Sequence, residues 1–173
     1  LTGNYFNNID LTNQVLTRID PNINFDWGTG SPDPSIGENT FSVRWEGGIL
    51  PLYSENYTFT MTGDDGIRLW VNNQLIIDQW VDQAPTDHSG SISLTGGDQV
   101  SIRIEYYENG GGAVAKLQWS SNSQSQQIVP QFLLFPEYSA PDTEPPTVTL
   151  STTSNSVDAA FTVDVSFNEN VSG

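Results

Sequence analysis

"YTFTMTGDDGIRLWVNN", residues 57–73, carries two alternating apolar runs around a pair of adjacent acids. Tyr57, Phe59 and Met61 alternate with threonines before the acids; Ile67, Leu69 and Val71 alternate with polar or amphipathic residues after them. Period-two alternation marks a strand with one buried face. The stretch therefore predicts two strands joined by a tight turn at Gly63, Asp64, Asp65 and Gly66. Asp-Gly is a favoured hairpin turn, and on that ground alone Asp64 points into water. Two neighbouring like charges at the tip are also what a bound cation would ask for. The turn by itself leaves both readings open.

The same rhythm recurs outward along the chain. Phe41, Val43 and Trp45 alternate with Ser42 and Arg44; Val100, Ile102, Ile104 and Tyr106 alternate with Ser101, Arg103 and Glu105; Ala115, Leu117 and Trp119 repeat it. "WEGG", "TGGD" and "ENGGG" read as turns, and Asn72-Asn73 between "RLWV" and "QLIID" as one more hairpin. No amphipathic helix of useful length is visible. Many short strands with regular punctuation predict an all-β sandwich or barrel.

The chain of 173 residues has 21 acidic and 5 basic side chains, a net charge of -16. Binding phosphates needs clustered Lys and Arg, so a nucleic-acid partner is excluded, and docking on an anionic membrane is disfavoured for the same reason. With 36% hydrophobic and 11% aromatic residues there is ample material for a core. No run is long enough to span a bilayer, and no signal peptide opens the sequence, so residue 1 is expected to lie inside a larger protein. Absence of Cys and a single His exclude a thiol nucleophile and a typical zinc site, but leave the compartment open.

Composition changes near residue 139. "SAPDTEPPT" holds three prolines and two acids, a semi-rigid linker. The expected organisation is a β-sandwich over 1–138, a proline-rich linker over 139–146, and a segment 147–173 too short for an independent domain. "PPTVTLS" followed by "FTVDVSFNENVSG" resembles the opening of the bacterial immunoglobulin-like repeats found in tandem on adhesins. It covers only the first two strands of such a repeat.

"GNYFNN", "INFDWGTGSP", "FSVRWEGGI", "YTFTMTGDDGIRLWVNNQLIIDQW", "VSIRIEYYENGGGAVAKLQW" and "IVPQFLL" occur in that order. Together they resemble the domain named after anthrax protective antigen (the PA-fourteen domain), over nearly all of residues 1–138. The resemblance implies an antiparallel β-sandwich of the protective-antigen type. In its lectin members it further implies a Ca²⁺ held by an Asp-Asp pair across a cis peptide bond, here Asp64 and Asp65. A second loop of those lectins supplies further oxygens, and the matching position is "ENGGGAVA", residues 108–115. By the family pattern the ligands are Asn109, Gly111 and Ala113, largely through backbone carbonyls, with Gly110 and Gly112 as register alternatives. A plain hairpin loop is the competing reading of that stretch. Successive glycines let a backbone approach closely and take positive φ. Gln83 and Asp87, in the polar loop "QAPTDHSG", are expected rim contacts for a sugar, and His88 a solvated loop residue.

Other constellations carry less. Glu105 and Glu108 in "EYYE" invite a glycosidase reading, which needs two carboxyls facing one bond. Three apart on a strand they point to opposite faces, so no catalysis is expected and Glu105 is read as a partner for Arg68 or Arg103. Asp26 and Asp33 in "FDWGTGSPD" are read as structural. Of the tryptophans at 45, 70, 80 and 119, most are expected in the core, with Trp70 and Trp80 left open as sugar platforms. The arginines at 18, 44, 68 and 103 are scattered, so nothing of a toxin's processing is carried over beyond the fold.

The expectation is a non-enzymatic, Ca²⁺-dependent carbohydrate-binding (lectin) module of a bacterial cell-surface adhesin, extracellular and monomeric within a long multidomain chain. It would bind cell-surface glycans or polysaccharides. The alternatives are an accessory domain of a secreted glycoside hydrolase and a calcium-stiffened structural or protein-binding spacer.

Overall fold

The computed structural model describes residues 1–140, 147–152 and 163–167. The chain divides into two compact units, Leu1–Ala140 and Pro141–Gly173. In the first unit the alternating runs become β1 (Thr2–Phe6), β2 (Gln14–Ile19), β3 (Asn24–Gly28), β4 (Phe41–Ile49), β5 (Glu55–Asp64) and β6 (Gly66–Val71). β7 (Gln74–Gln79), β8 (Thr86–Leu94), β9 (Val100–Glu108), β10 (Ala113–Ser121), β11 (Gln124–Ile128) and β12 (Leu134–Phe135) complete it. One sheet runs β2-β1-β4-β9-β6-β7, with β12 added to β4; the other runs β11-β10-β5-β8, with β3 added to β10. All these pairings are antiparallel. The expected antiparallel all-β sandwich is the fold observed.

The inward-facing residues of both sheets join in one core. Phe41, Val43 and Trp45 of β4, Ile102, Ile104 and Tyr106 of β9 and Ile67, Leu69 and Val71 of β6 meet Tyr57, Phe59 and Met61 of β5 and Ala115, Leu117 and Trp119 of β10. Phe25 of β3 stacks on Trp45 at 5.7 Å between centroids, and Trp27 meets Phe41 edge-on at 5.8 Å, so aromatic contacts cross between the layers. Trp45 and Trp119 are fully buried, each removing a large apolar surface from water.

Four local expectations are corrected. "TGDDG" is not a hairpin, because β5 pairs with β10 and β8 while β6 pairs with β9 and β7. The alternating pattern is the same whether two strands pair edge to edge or face each other across a core, so periodicity cannot name the partner. "ENGGG" likewise passes from β9 in one sheet to β10 in the other rather than closing a hairpin. "WEGG" lies inside β4. Gly47 permits close approach there: a Cβ on it would stand 2.0 Å from the Phe135 carbonyl oxygen of β12. The Asn72-Asn73 hairpin is present, with φ of 49° and 59° at its two residues and Val71 opposite Gln74. His88 and Asp87, expected in a loop, belong to β8.

In the second unit β13 (Val148–Thr152) pairs antiparallel with β14 (Val163–Phe167). Most of the expected linker, and the rest of the immunoglobulin-like segment, lie outside the described residues. Among the described residues no helix is long and apolar enough to cross a membrane.

Candidate metal and ligand-binding site

The two crossovers from one sheet to the other lie side by side at one end of the sandwich. Asp64 ends β5, Asp65 links it to β6, and their peptide bond is cis. The Asp65 N–H donates to the Tyr107 carbonyl at 3.2 Å, and the Tyr106 hydroxyl donates to the Asp64 carbonyl. Both contacts tie the acids to the end of β9. Glu108 ends that strand with the inward parity of Ile102, Ile104 and Tyr106. Its carboxylate thus turns into the gap between the sheets, where oxygens of Asp64, Asp65 and Glu108 all lie within 4.8 Å of one another.

The three carboxylates are not equally served. Asp65 accepts the Gln83 N–H at 3.0 Å on one oxygen and the Asn109 N–H at 2.8 Å on the other. Glu108 is 0% exposed, and neither of its oxygens has a partner at hydrogen-bond geometry, although the Gly110 N–H and the Tyr106 hydroxyl stand close enough to favour its charged form a little. Burial, followed by the charges of Asp65 and Asp64, pushes the Glu108 carboxyl up to about 7. Asp64 is raised in the same direction, by burial first and then by Asp65. A desolvated acid cluster of this kind resolves its repulsion either by holding a proton or by holding a cation.

The second crossover bends over the cluster. Gly112 packs so near that a Cβ would lie 3.2 Å from an Asp64 carboxylate oxygen, which is close approach in the sense expected of the glycine run. Gly111 takes φ of +110°, faces open space and donates its N–H to the Asn39 side-chain oxygen at 3.3 Å, and a Cβ on Gly110 would lie 4.0 Å from that same oxygen. Ala113 is buried and begins β10 opposite Gly28. Asn109 donates from its side-chain amide to Asp82 at 3.0 Å, and Asp82 also accepts the Tyr107 hydroxyl at 2.7 Å. These two donors hold the Asp82 carboxyl below its ordinary range, Tyr107 first. Gln83 sits against Asp65. Asp87 is exposed on β8, accepts the Thr62 hydroxyl at 2.6 Å and makes no hydrogen bond to the cluster.

Sequence reasoning had weighed Glu108 only as a catalytic acid, and had not considered Asp82. The signal for Glu108 was its even spacing from Ile102, Ile104 and Tyr106, which puts it on the core side. Asp82 has no periodic signal, because it lies between β7 and β8. Glu105 is on the other face of β9, held by Arg44 at 2.8 Å and Arg68 at 2.6 Å rather than by Arg103. Arg103 lies over the Trp70 ring at 3.9 Å, and Arg68 over Trp80 at 4.1 Å, so both half-buried tryptophans carry guanidinium groups. A groove of about 740 Å³ on that face is lined by Trp70, Arg103, Glu46 and Tyr138 and includes none of the cluster.

An anti-sigma-I factor, RsgI3 of Acetivibrio thermocellus, is 51% identical over 136 residues, covering 79% of this chain and 21% of that protein. The chain thus spans about a fifth of that relative's length. The solved structure of an anti-sigma factor domain-containing protein from Clostridium clariflavum is 47% identical, with a TM-score of 0.77, over 81% of this chain and 48% of that one. A structure described as the PA14 sugar-binding domain from an RTX adhesin shares the fold at 20% identity, with a TM-score of 0.64, over 80% of this chain and 98% of that one. The profile of the PA14 domain matches residues 1–131, so this chain belongs to the PA14 domain family.

Proposed function

We propose that this domain is a Ca²⁺-dependent carbohydrate-binding module. The observation that carries the reading is the buried Glu108 carboxylate, unpartnered and turned onto Asp64 and Asp65. Hard anionic oxygens without N or S donors suit Ca²⁺, which takes roughly six to eight oxygens at about 2.3–2.6 Å. Two oxygens on one such ion are at most about 5 Å apart, and the cluster meets that limit. Asp64, Asp65 and Glu108 would hold the ion, with Asn109 and carbonyls of the 110–113 backbone as further ligands. The bound ion would supply open positions that two neighbouring sugar hydroxyls fill in place of water. The protein's own contribution is to fix the carboxylates, exclude water beneath them with Tyr106, Phe41 and Trp27, and border the opening with residues 82–83 and 109–112.

The test is calorimetry of a monosaccharide panel in calcium and in chelator. Sugar heats that vanish in chelator support the reading; equal binding in chelator removes the ion from it.

The setting of the module has two readings. The sequence expectation was a bacterial cell-surface adhesin, extracellular, and the RTX adhesin fold likeness is of that kind. Identity of about half with an anti-sigma-I factor supports the other: a sugar-sensing module that reports to transcription. Neighbouring sequence decides between them, since a β-repeat array marks an adhesin and a sigma-binding segment marks the sensor. A glycosidase accessory role would instead need a catalytic domain beside it.

A further inference from the structure

Asp82 and Gln83 are sequence neighbours between β7 and β8, yet each holds a different crossover. Gln83 donates its main-chain N–H to an Asp65 carboxylate oxygen and its side-chain amide to the Asp65 carbonyl, both at 3.0 Å. Its remaining side-chain oxygen meets His88 Nε2 of β8 at 2.8 Å, so the amide is held at both ends. Asp82 accepts the Asn109 side-chain N–H on one oxygen and the Tyr107 hydroxyl on the other. The Asn109 main-chain N–H returns to Asp65, and the Asp65 N–H to the Tyr107 carbonyl. Asp65, Tyr107, Asp82 and Asn109 thereby close a ring of hydrogen bonds around the edge of the acid cluster.

The ring has a chemical consequence for Asn109. Its side-chain N–H points to Asp82 and its main-chain N–H to Asp65, which leaves the side-chain oxygen as the group available to a cation. Hydrogen bonds at exposed positions contribute only about 1 kcal/mol each to a fold. Partners behind a metal ligand matter far more to metal affinity, typically about 10- to 100-fold. Asp82 is exposed and Gln83 half-buried, which is where support for a ligand, rather than for the core, is expected.

Resting on the calcium reading, we propose that Asp82 and Gln83 act together as a positioning clamp for the ion site: the Gln83 side-chain amide holds the Asp65 main-chain carbonyl and so fixes the turn that presents the Asp65 carboxylate, and Asp82 turns the Asn109 amide so that its oxygen faces the ion. Gln83 is then a support behind the site rather than a sugar contact.

The experiment titrates calcium alone into chelator-stripped wild type, Asp82→Ala, Asp82→Asn and Gln83→Ala by calorimetry, with melting temperatures measured in chelator. Asp82→Ala should weaken calcium about 10- to 100-fold, and Gln83→Ala, which loses the amide on the Asp65 carbonyl but keeps the main-chain N–H on the carboxylate, by about 10-fold. Asp82→Asn should keep most of the affinity, because its side-chain oxygen still accepts from Asn109. Melting temperatures in chelator should stay near that of wild type. Wild-type affinity in both alanine variants overturns the clamp. So does an Asp82→Asn loss equal to that of Asp82→Ala, which would make Asp82 a distant charge, or a fall in chelator melting temperature that parallels the fall in affinity. A wild type that binds no calcium overturns the parent reading instead, and that result is visible before any variant is compared.

Discussion

The carboxylates of Glu108, at the end of β9, and Asp64, at the end of β5, belong to different sheets and reach within 4.8 Å of each other. Among the described residues no donor meets either carboxylate at hydrogen-bond geometry, and only the weak approach of the Gly110 N–H and the Tyr106 hydroxyl to Glu108 offsets its burial. Glu108 continues the inward parity of Ile102, Ile104 and Tyr106, so there the chain places a charge where its own pattern calls for a hydrophobe. Asp64 ends β5 with the parity of Thr58, Thr60 and Thr62 and is buried only because the link to β6 turns between the sheets. Buried charges are retained only when paired or when they coordinate a metal. With a like charge as nearest neighbour, pairing is not what holds these two.

Removing the acids should therefore remove the ion and with it the sugar. Asp64→Ala leaves no hydrogen-bond donor behind, because none serves that carboxylate, and it should fold normally while losing calcium and sugar binding. Asp65→Ala should lose both as well. It also strands the N–H groups of Gln83 and Asn109, at a cost of roughly 1–3 kcal/mol for each one left unsatisfied. Calorimetry and circular dichroism on the two variants check this; undiminished sugar affinity in both would sink the assignment.

Glu108 gives a prediction in pH. Its folded carboxyl is raised from 4.5 to about 7, chiefly by burial and then by Asp65 and Asp64. A raised acid holds its proton more tightly folded than unfolded, so the metal-free fold loses stability as pH climbs from about 4.5 through 7. Glu108→Gln is permanently uncharged and escapes that loss. In chelator the variant should melt above wild type at pH 8, with the gap closing near pH 4.5. In saturating calcium the order should reverse, because only wild type gains binding energy from the third carboxylate. A wild type that remains the more stable at pH 8 in chelator refutes the buried-charge account.

How much of this was legible in the sequence differs between strands and site. The runs at 57–61, 67–71 and 100–106 showed their strands and buried faces correctly, because period two is set by local backbone geometry. What joined to what was not legible: "GDDG" and "ENGGG" carry hairpin chemistry, yet each spans two sheets. The acid cluster exists because both links cross between layers at the same end, a long-range fact no local window contains. Glu108 could have been read onto the core face by parity alone. Asp82 could not, since its role follows only from the positions of Tyr107 and Asn109 around it.

Truncation after Ala140 should leave ligand affinity unchanged, since every residue assigned to the site lies in the unit Leu1–Ala140. Cutting earlier should not be tolerated. β12 pairs with β4, the Thr2 hydroxyl donates to the Pro136 carbonyl at 2.8 Å, and Leu133 and Leu134 are buried. A chain ending at Val129 should therefore lose cooperative folding, whereas one ending at Ala140 should melt as a single transition. Loss of sugar binding by the longer truncation, with its fold preserved, would show that the remaining segment belongs to the site.

Selectivity follows from what an ion with open positions can read. It recognises two neighbouring hydroxyls whose oxygens fit one coordination shell, so sugars presenting such a pair at a free end should compete for one site. Fucose, glucose, mannose and N-acetylglucosamine are the appropriate panel. A single ring buries little surface, so each should bind near the millimolar level, about -4 kcal/mol. Strong attachment would then come from many copies engaging many glycans. Magnesium should not replace calcium: it demands near-octahedral oxygens at about 2.0–2.1 Å and gives up water reluctantly, whereas these ligands are fixed by two sheets and cannot contract. Competition binding in calcium, in magnesium and in chelator reads all of this at once. Full binding in magnesium would mean that charge alone, and not the spacing set by Asp64, Asp65 and Glu108, selects the ion.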